Sequence, residues 1–442
     1  MPPDVLKSLG KPTTRQVHKR ALLLLLILVT PLTAGQAGSA VERFQSLQEK
    51  LQKSRSSNDW QSSLATAREL EQFLNGSPDS LLETARAEVH VDDLTGAARK
   101  MEEFVRMGQS TELIETPAEF ARLREQARFS EIQNGMKANR SPISLGSIAF
   151  GLTDSALLAE DLDYDRDTKR FFVTSVRQKR ILSTDGRGAS REFAKAPDDW
   201  PMLAIKIDRS RGVLWATEVA LQGFIFAPKE DWGRSAVLCY DLKSGRLLKR
   251  IEGPHPGALG DMTLAANGDV FVSDGDGGGV YRVPANGDSL ERVDGGDFIS
   301  PQTPVMHPDG KQIFVPDYVR GVGLLEIASK QVRWLSMEGR FALNGIDGLY
   351  FDGGKLLAVQ NGTSPERVVS FKLNATLTTI VSATIIERST PTLGDPTHGV
   401  IVDDTFYYIA NSGWDVIDDH GNMKPGTKPS EALIMRVRSK GL

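Results

Sequence analysis

One pattern recurs along the second half of this chain at near-equal spacing. Each copy has a polar residue, a short apolar run, a turn of four or five polar residues, and a second apolar run. It begins at Asp161 (LDYD-RDTKR-FFV), Asp261 (MTLA-ANGD-VFV), Thr303 (PVMH-PDGKQ-IFV), Asp347 (GLYF-DGGK-LLA) and His398 (GVIV-DDTF-YYI), with a weaker copy at Leu203 (AIKI-DRSRG-VLW). The steps between equivalents are 42, 58, 42, 44 and 51 residues. Each copy reads as a strand, a tight turn and a returning strand, with enough chain after it for two more strands. A period in the forties with four strands per unit is the signature of a β-propeller. Six copies predict six blades.

The repeat also predicts where chemistry collects. The innermost strand of every propeller blade starts at one end of the central channel, so the residues just before it converge on the axis. Here these are Glu160-Asp161, Met202-Leu203, Gly260-Asp261, Gln302-Thr303, Ile346-Asp347 and Thr397-His398. Several carboxylates, an amide and an imidazole aimed at one spot repel one another and lose hydration unless a positive charge sits among them. A divalent cation answers that need, calcium first, with magnesium, manganese or zinc as alternatives. The bland reading is that Asp161, Asp261 and Asp347 accept backbone N–H groups at strand entries, and that His398 is a satisfied loop histidine. Asn361, Asn411, Asp274 and Asp317 close the second strands on the same face, as substrate-binding groups or as strand caps.

The first 20 residues carry Lys7, Lys11, Arg15, Lys19 and Arg20 against Asp4, and an apolar run, ALLLLLILVTPLTA, follows at 21–34. That run is too short to span a bilayer and suits an export signal, so 1–40 is expected to be a signal peptide or an N-terminal anchor. The protein is then periplasmic or secreted, and meets a membrane only if 21–34 is retained. Losing those five cations and one anion moves the formal charge from −4 to −8. An acidic chain with no long basic run offers nucleic acid no footing. The single cysteine, Cys239, lies in an apolar strand pattern and reads as a buried thiol.

From 41 to 138 the period changes to three and four, in VERFQSLQEKLQK, DWQSSLATARELEQFL, DSLLETARAEV and LTGAARKMEEFVRMG. This predicts paired helices, then a linker at 139–149 and the propeller at 150–442. The stretch ending in Phe120, Leu123, Arg124 and Arg128-Phe129 resembles the closing repeats of tetratricopeptide-like proteins. Such a helical domain implies a protein partner, or else a cap packed on the propeller. Insertions at 220–233 and 414–431 are expected to wall the mouth of the channel. The fold class is therefore mainly β, a six-bladed propeller preceded by a small all-α helical-repeat domain.

AEDLDYD, PDGKQIFVPD, NGIDGLYFDGGKLLAV and DPTHGVIVDDTFYYIANSGW resemble the senescence marker protein/gluconolactonase family. More distantly they resemble strictosidine synthase-like and paraoxonase-type propellers. The resemblance implies an axial metal held by Glu160, by Gln302 in place of the family's asparagine, and by Asp347, with help from Asp161 or Asp261. Further asparagines of paraoxonase-type sites fall on Gly260 and Gly348. It also implies hydrolysis of a small lactone or ester, with Asp347 as the base. Chemistry alone points to His398, whose pKa suits proton transfer near neutrality. The alternative is a non-catalytic propeller serving, with its helices, as a binding module in the cell envelope. Between the two, the enzyme is the favoured expectation.

Overall fold

A computed structural model describes residues 39–187 and 189–442; the apolar run at 21–34 lies outside them. Among the described residues, strands form six sheets of at least four strands each, arranged as six blades. The innermost strands are Ala159–Asp165, Met202–Asp208, Leu259–Leu264, Val305–Met306, Gly348–Asp352 and Gly399–Val402, one per repeat of the sequence pattern. In every blade the tight turn after that strand contains a residue with positive φ: Lys169, Gly212, Gly268, Gly310, Gly353 and Gly354, and Asp403. Such turns reverse an antiparallel pair in few residues. Apolar side chains then pack between neighbouring blades, as Phe172 and Ile181 do against Ile205, Leu214 and Leu238.

The ring closes with borrowed chain. The outer strand of the sixth blade is Ser147–Leu152, paired antiparallel with Ala432–Arg438 from Ser147↔Arg436 to Leu152↔Ala432. Ile143–Ser144 extends the fifth blade against Arg388 and Glu387. The stretch expected to be a linker at 139–149 thus contributes strand residues at 143–144 and from 147 on, and sheet pairing starts before 150. Pairing satisfies backbone groups that an open edge would expose.

The helices are α1 (Ala40–Ser56), α2 (Trp60–Phe73), α3 (Pro78–His90), α4 (Leu94–Arg106), a short α5 (Ala121–Arg124) and α6 (Phe129–Asn139). A capping box starts α1, with Ser39 Oγ accepting from the Glu42 N–H and Glu42 Oε2 accepting from the Ser39 N–H. Phe120 and Leu123 are fully buried in the helical core. Arg124 donates to the carbonyls of Ile114 and Pro117 and ties down the loop before it. None of the described helices is long and apolar enough to cross a membrane.

This segment docks on the fourth and fifth blades, on the face where the innermost strands begin. Phe44, Leu47, Phe73 and Leu74 share one core with Ile299 and Val319 of the fourth blade. From the fifth blade, Arg367 donates to the carbonyl of Met107 at the end of α4, and Arg388 to those of Ala138 and Ser141 at the end of α6. The two arginines are cross-strand partners. Each meets the negative pole of a helix.

Candidate metal centre

The site grows from a defect repeated in three blades. The first strand pair is interrupted by a bulge between Ala159 and Leu162, between Met202 and Ile205, and between Leu259 and Met262. Bulges re-aim side chains, and these turn Glu160 and Asp261 toward the axis. Buried threonines fill the gaps. Thr174 Oγ1 accepts from the Asp161 N–H and donates to the Leu203 carbonyl; Thr217 Oγ1 accepts from the Ala204 N–H and donates to the Gly260 carbonyl. Thr303 Oγ1 donates to the Asp347 carbonyl at 2.8 Å. His398 Nδ1 lies 2.9 Å from the Glu160 carbonyl. A carbonyl only accepts, so Nδ1 carries the proton and Nε2 faces the axis.

Glu160, Asp347 and His398 each place one ligand atom within 4.8 Å of the others. Asp261 joins them, its Oδ1 2.7 Å from His398 Nε2. This contact is an ion pair when the imidazole is protonated. Trp414 Nε1 donates to Glu160 Oε2. Asn361 Nδ2 donates to Asp347 Oδ2 at 2.7 Å.

Other candidates are placed elsewhere. Asp161, 1% exposed, accepts from Leu162 N, Ile205 N and Lys206 Nζ at 2.8, 2.9 and 2.7 Å. Its carboxylate locks two blades together and is spent there. Gln302 turns its amide nitrogen back onto Ser300. Asp274 caps the loop after its strand through the N–H groups of Ala258, Asp276 and Gly277. Asp317 does the same through Ile299, Ser300, Val319 and Arg320. For these two the strand-cap reading holds. Asn411 donates to Ser430 in the last insertion. Of the four strand-closing residues, only Asn361 reaches the acidic group.

The electrostatics follow from burial. Five carboxylates (Glu160, Asp161, Asp163, Asp261, Asp347) surround two cationic groups, Lys206 and His398. Burial, and next the Asp347 charge, push Glu160 up to about 8. Burial likewise raises Asp163 to about 6. Burial alone would lower His398, but the charges of Asp261 and Asp347 outweigh it and hold the imidazole well above its usual value. Even with Glu160 protonated, four carboxylates face two cations, an excess of two negative charges. A divalent cation would cancel it, so the donor set fits one.

The two insertions interlock over the mouth. Phe224 packs on Trp414 with ring centroids 5.6 Å apart, and the Ile225 N–H donates to the His420 carbonyl. Leu158 and Ala258, just before two innermost strands, and Leu203, near the start of a third, pack under this lid with Ile417. The helical segment covers the opposite side. Glu160, Gly260, Gln302 and Asp347 keep partial exposure between the two covers. Lys206, Trp414, Thr174 and Thr217 were missed in the sequence. Only a blade-by-blade alignment of second strands could have flagged the threonines.

No protein-family model matches the chain, and no curated protein matches it in sequence. Among solved structures it is similar to a gluconolactonase from Xanthomonas campestris (15% identity, TM-score 0.46, covering 67% of this chain and 95% of that one). A calcium-binding regucalcin from Agrobacterium tumefaciens matches at 14% identity and TM-score 0.46, covering 67% and 95%. A streptogramin B lyase matches at 13% and 0.46, covering 65% and 96%. Likeness at these values carries no argument about activity, and the six blades stand on the strand pairing itself.

Proposed function

We propose that this protein is a metal-dependent hydrolase of small lactones or esters, exported by its N-terminal apolar run. The observation that carries the proposal is the axial group of Glu160, Asp347 and His398, three potential ligands within 4.8 Å of one another, in a site with surplus negative charge. Glu160, Asp347 and, once its Nε2 proton is lost, His398 would hold the cation, with Asp261 beside them. The cation would polarise the substrate carbonyl and favour the developing oxyanion. An imidazole among the ligands suits manganese or zinc better than calcium, which prefers oxygen.

The chain's own residues divide the remaining work. His398 is 1% exposed and boxed between the Glu160 carbonyl and Asp261, which suits holding and charge balance rather than meeting substrate. Asp347 faces the partly open mouth and is the better placed base. The lid of Phe224, Trp414 and Ile417 offers an apolar wall to the non-reacting part of the substrate. Because the helices are docked through arginines and a shared core, they serve this reading as a wall of the mouth.

Calorimetric titration of the mature protein with calcium, magnesium, manganese and zinc tests the proposal, together with a panel of lactones and esters. At least one ion should bind below the millimolar range and support turnover. Binding of none would overturn the hydrolase and leave a non-catalytic binding module.

A further inference from the structure

Asp347 is held from behind by a chain of contacts that ends at the helical segment. Its backbone carbonyl is fixed by Thr303, and its Oδ2 accepts from Asn361 Nδ2. The other end of that amide, Asn361 Oδ1, accepts from the Tyr318 hydroxyl at 2.9 Å. An ionised carboxylate only accepts, so Asn361 must present its nitrogen to Asp347 and its oxygen to Tyr318. The carboxylate therefore sets which way the amide points, and the phenol, donating to Oδ1, holds the amide in that orientation.

The place of Tyr318 is built rather than incidental. A Cβ on Gly362 would lie 2.5 Å from the Tyr318 ring and from Gly345 Cα, so only glycine there leaves room for the ring. The Gly345 N–H donates to the Tyr318 carbonyl at 2.6 Å. The next two residues form the seam: Val319 shares a core with Phe44, Leu47 and Phe73, and the Arg320 guanidinium stacks on Phe73 and Trp334 at 4.6 and 4.2 Å. Asn75, just after α2, donates to the Arg320 carbonyl.

We infer that Tyr318 is a positioning residue that, through Asn361, orients the Asp347 carboxylate, and that the docked helical segment clamps the loop carrying it. The role deepens the metal-centre reading and rests on it. Partners of this kind, hydrogen-bonded behind a metal-binding carboxylate, typically change metal affinity 10- to 100-fold when removed.

The test is a double-mutant cycle on the full mature chain, with Tyr318→Phe, Asn361→Ala and the double variant. Manganese affinity is read by calorimetry and the Asn361 side-chain amide by NMR without metal. Tyr318→Phe should melt close to wild type, lower affinity about tenfold, and shift the Asn361 amide signal. The double variant should bind no worse than Asn361→Ala alone, because both act through one amide. Additive losses, or an unmoved amide signal in Tyr318→Phe, would overturn the inference. A wild type that binds no ion but whose amide signal moves in Tyr318→Phe would defeat the metal reading and leave the positioning role standing.

Discussion

Two of the places where charge is buried in this protein are balanced differently. At the seam, Arg367 and Arg388 find neutral acceptors: the Gln360 amide and helix-end carbonyls for one, helix-end carbonyls for the other. No carboxylate is needed, although burial and the neighbouring Arg388 lower Arg367 to about 10. At the axis, carboxylates outnumber the cationic groups and Glu160 is pushed to about 8. A seam whose groups satisfy one another is structure. A ring whose carboxylates outnumber its cationic groups is a candidate for function.

Four experiments press on that contrast, the largest effect first. Arg367→Ala should cost about 3 kcal/mol in urea unfolding, since it strands buried acceptors on both sides of the seam. The loss should be the same with and without divalent ions; an ion-dependent loss would break the distinction. Asp347→Asn should do the opposite. It should lower cation affinity about 100-fold or more, yet raise the melting temperature of the metal-free protein by relieving repulsion, which differential scanning calorimetry would read.

The third uses pH. Glu160 sits near 8 in the folded protein against an ordinary 4.5, so between those values the folded state holds a proton that the unfolded chain has lost. Metal-free stability should therefore fall as pH rises from about 4.5 to about 8. His398, whose folded value is also raised, adds a loss in the same direction above its ordinary 6.5. Cation affinity should climb over the same window, by up to tenfold per unit for each proton expelled, because binding displaces the protons of Glu160 and His398. Glu160→Gln should make both curves shallower, leaving the His398 contribution above its ordinary 6.5, which unfolding and calorimetry across pH would check. Smallest, Trp414→Phe removes one donor from Glu160 and should lower cation affinity only a few-fold, on the scale of one hydrogen bond to a charged group.

Much of the fold was legible. Six apolar-turn-apolar repeats carried the blade count because each turn needs a residue tolerant of positive φ, and Gly212, Gly268, Gly310 and Gly353 announce it. The helices were legible through their three-four spacing. The borrowed strand Ser147–Leu152 was not, because its alternation is short and its partner lies almost 300 residues away. At the site, Glu160, Asp347 and His398 were found by repeat position. The same logic also chose Asp161, Asp274 and Asp317, because a carboxylate before or after a strand looks alike whether it faces the axis or accepts a backbone N–H.

The sequence alone determined periodicity, and with it the blades, the rim on which acids collect and the two insertions over the mouth, since hydrophobic spacing and turn chemistry are local properties. Only tertiary structure decided which acids are left over. Lys206 takes up Asp161, loop N–H groups take up Asp274 and Asp317, and Tyr318, beside the helix seam, braces Asn361 against Asp347. These choices depend on neighbours brought together by ring closure, and hydrogen-bond partners of that kind leave no period in the chain.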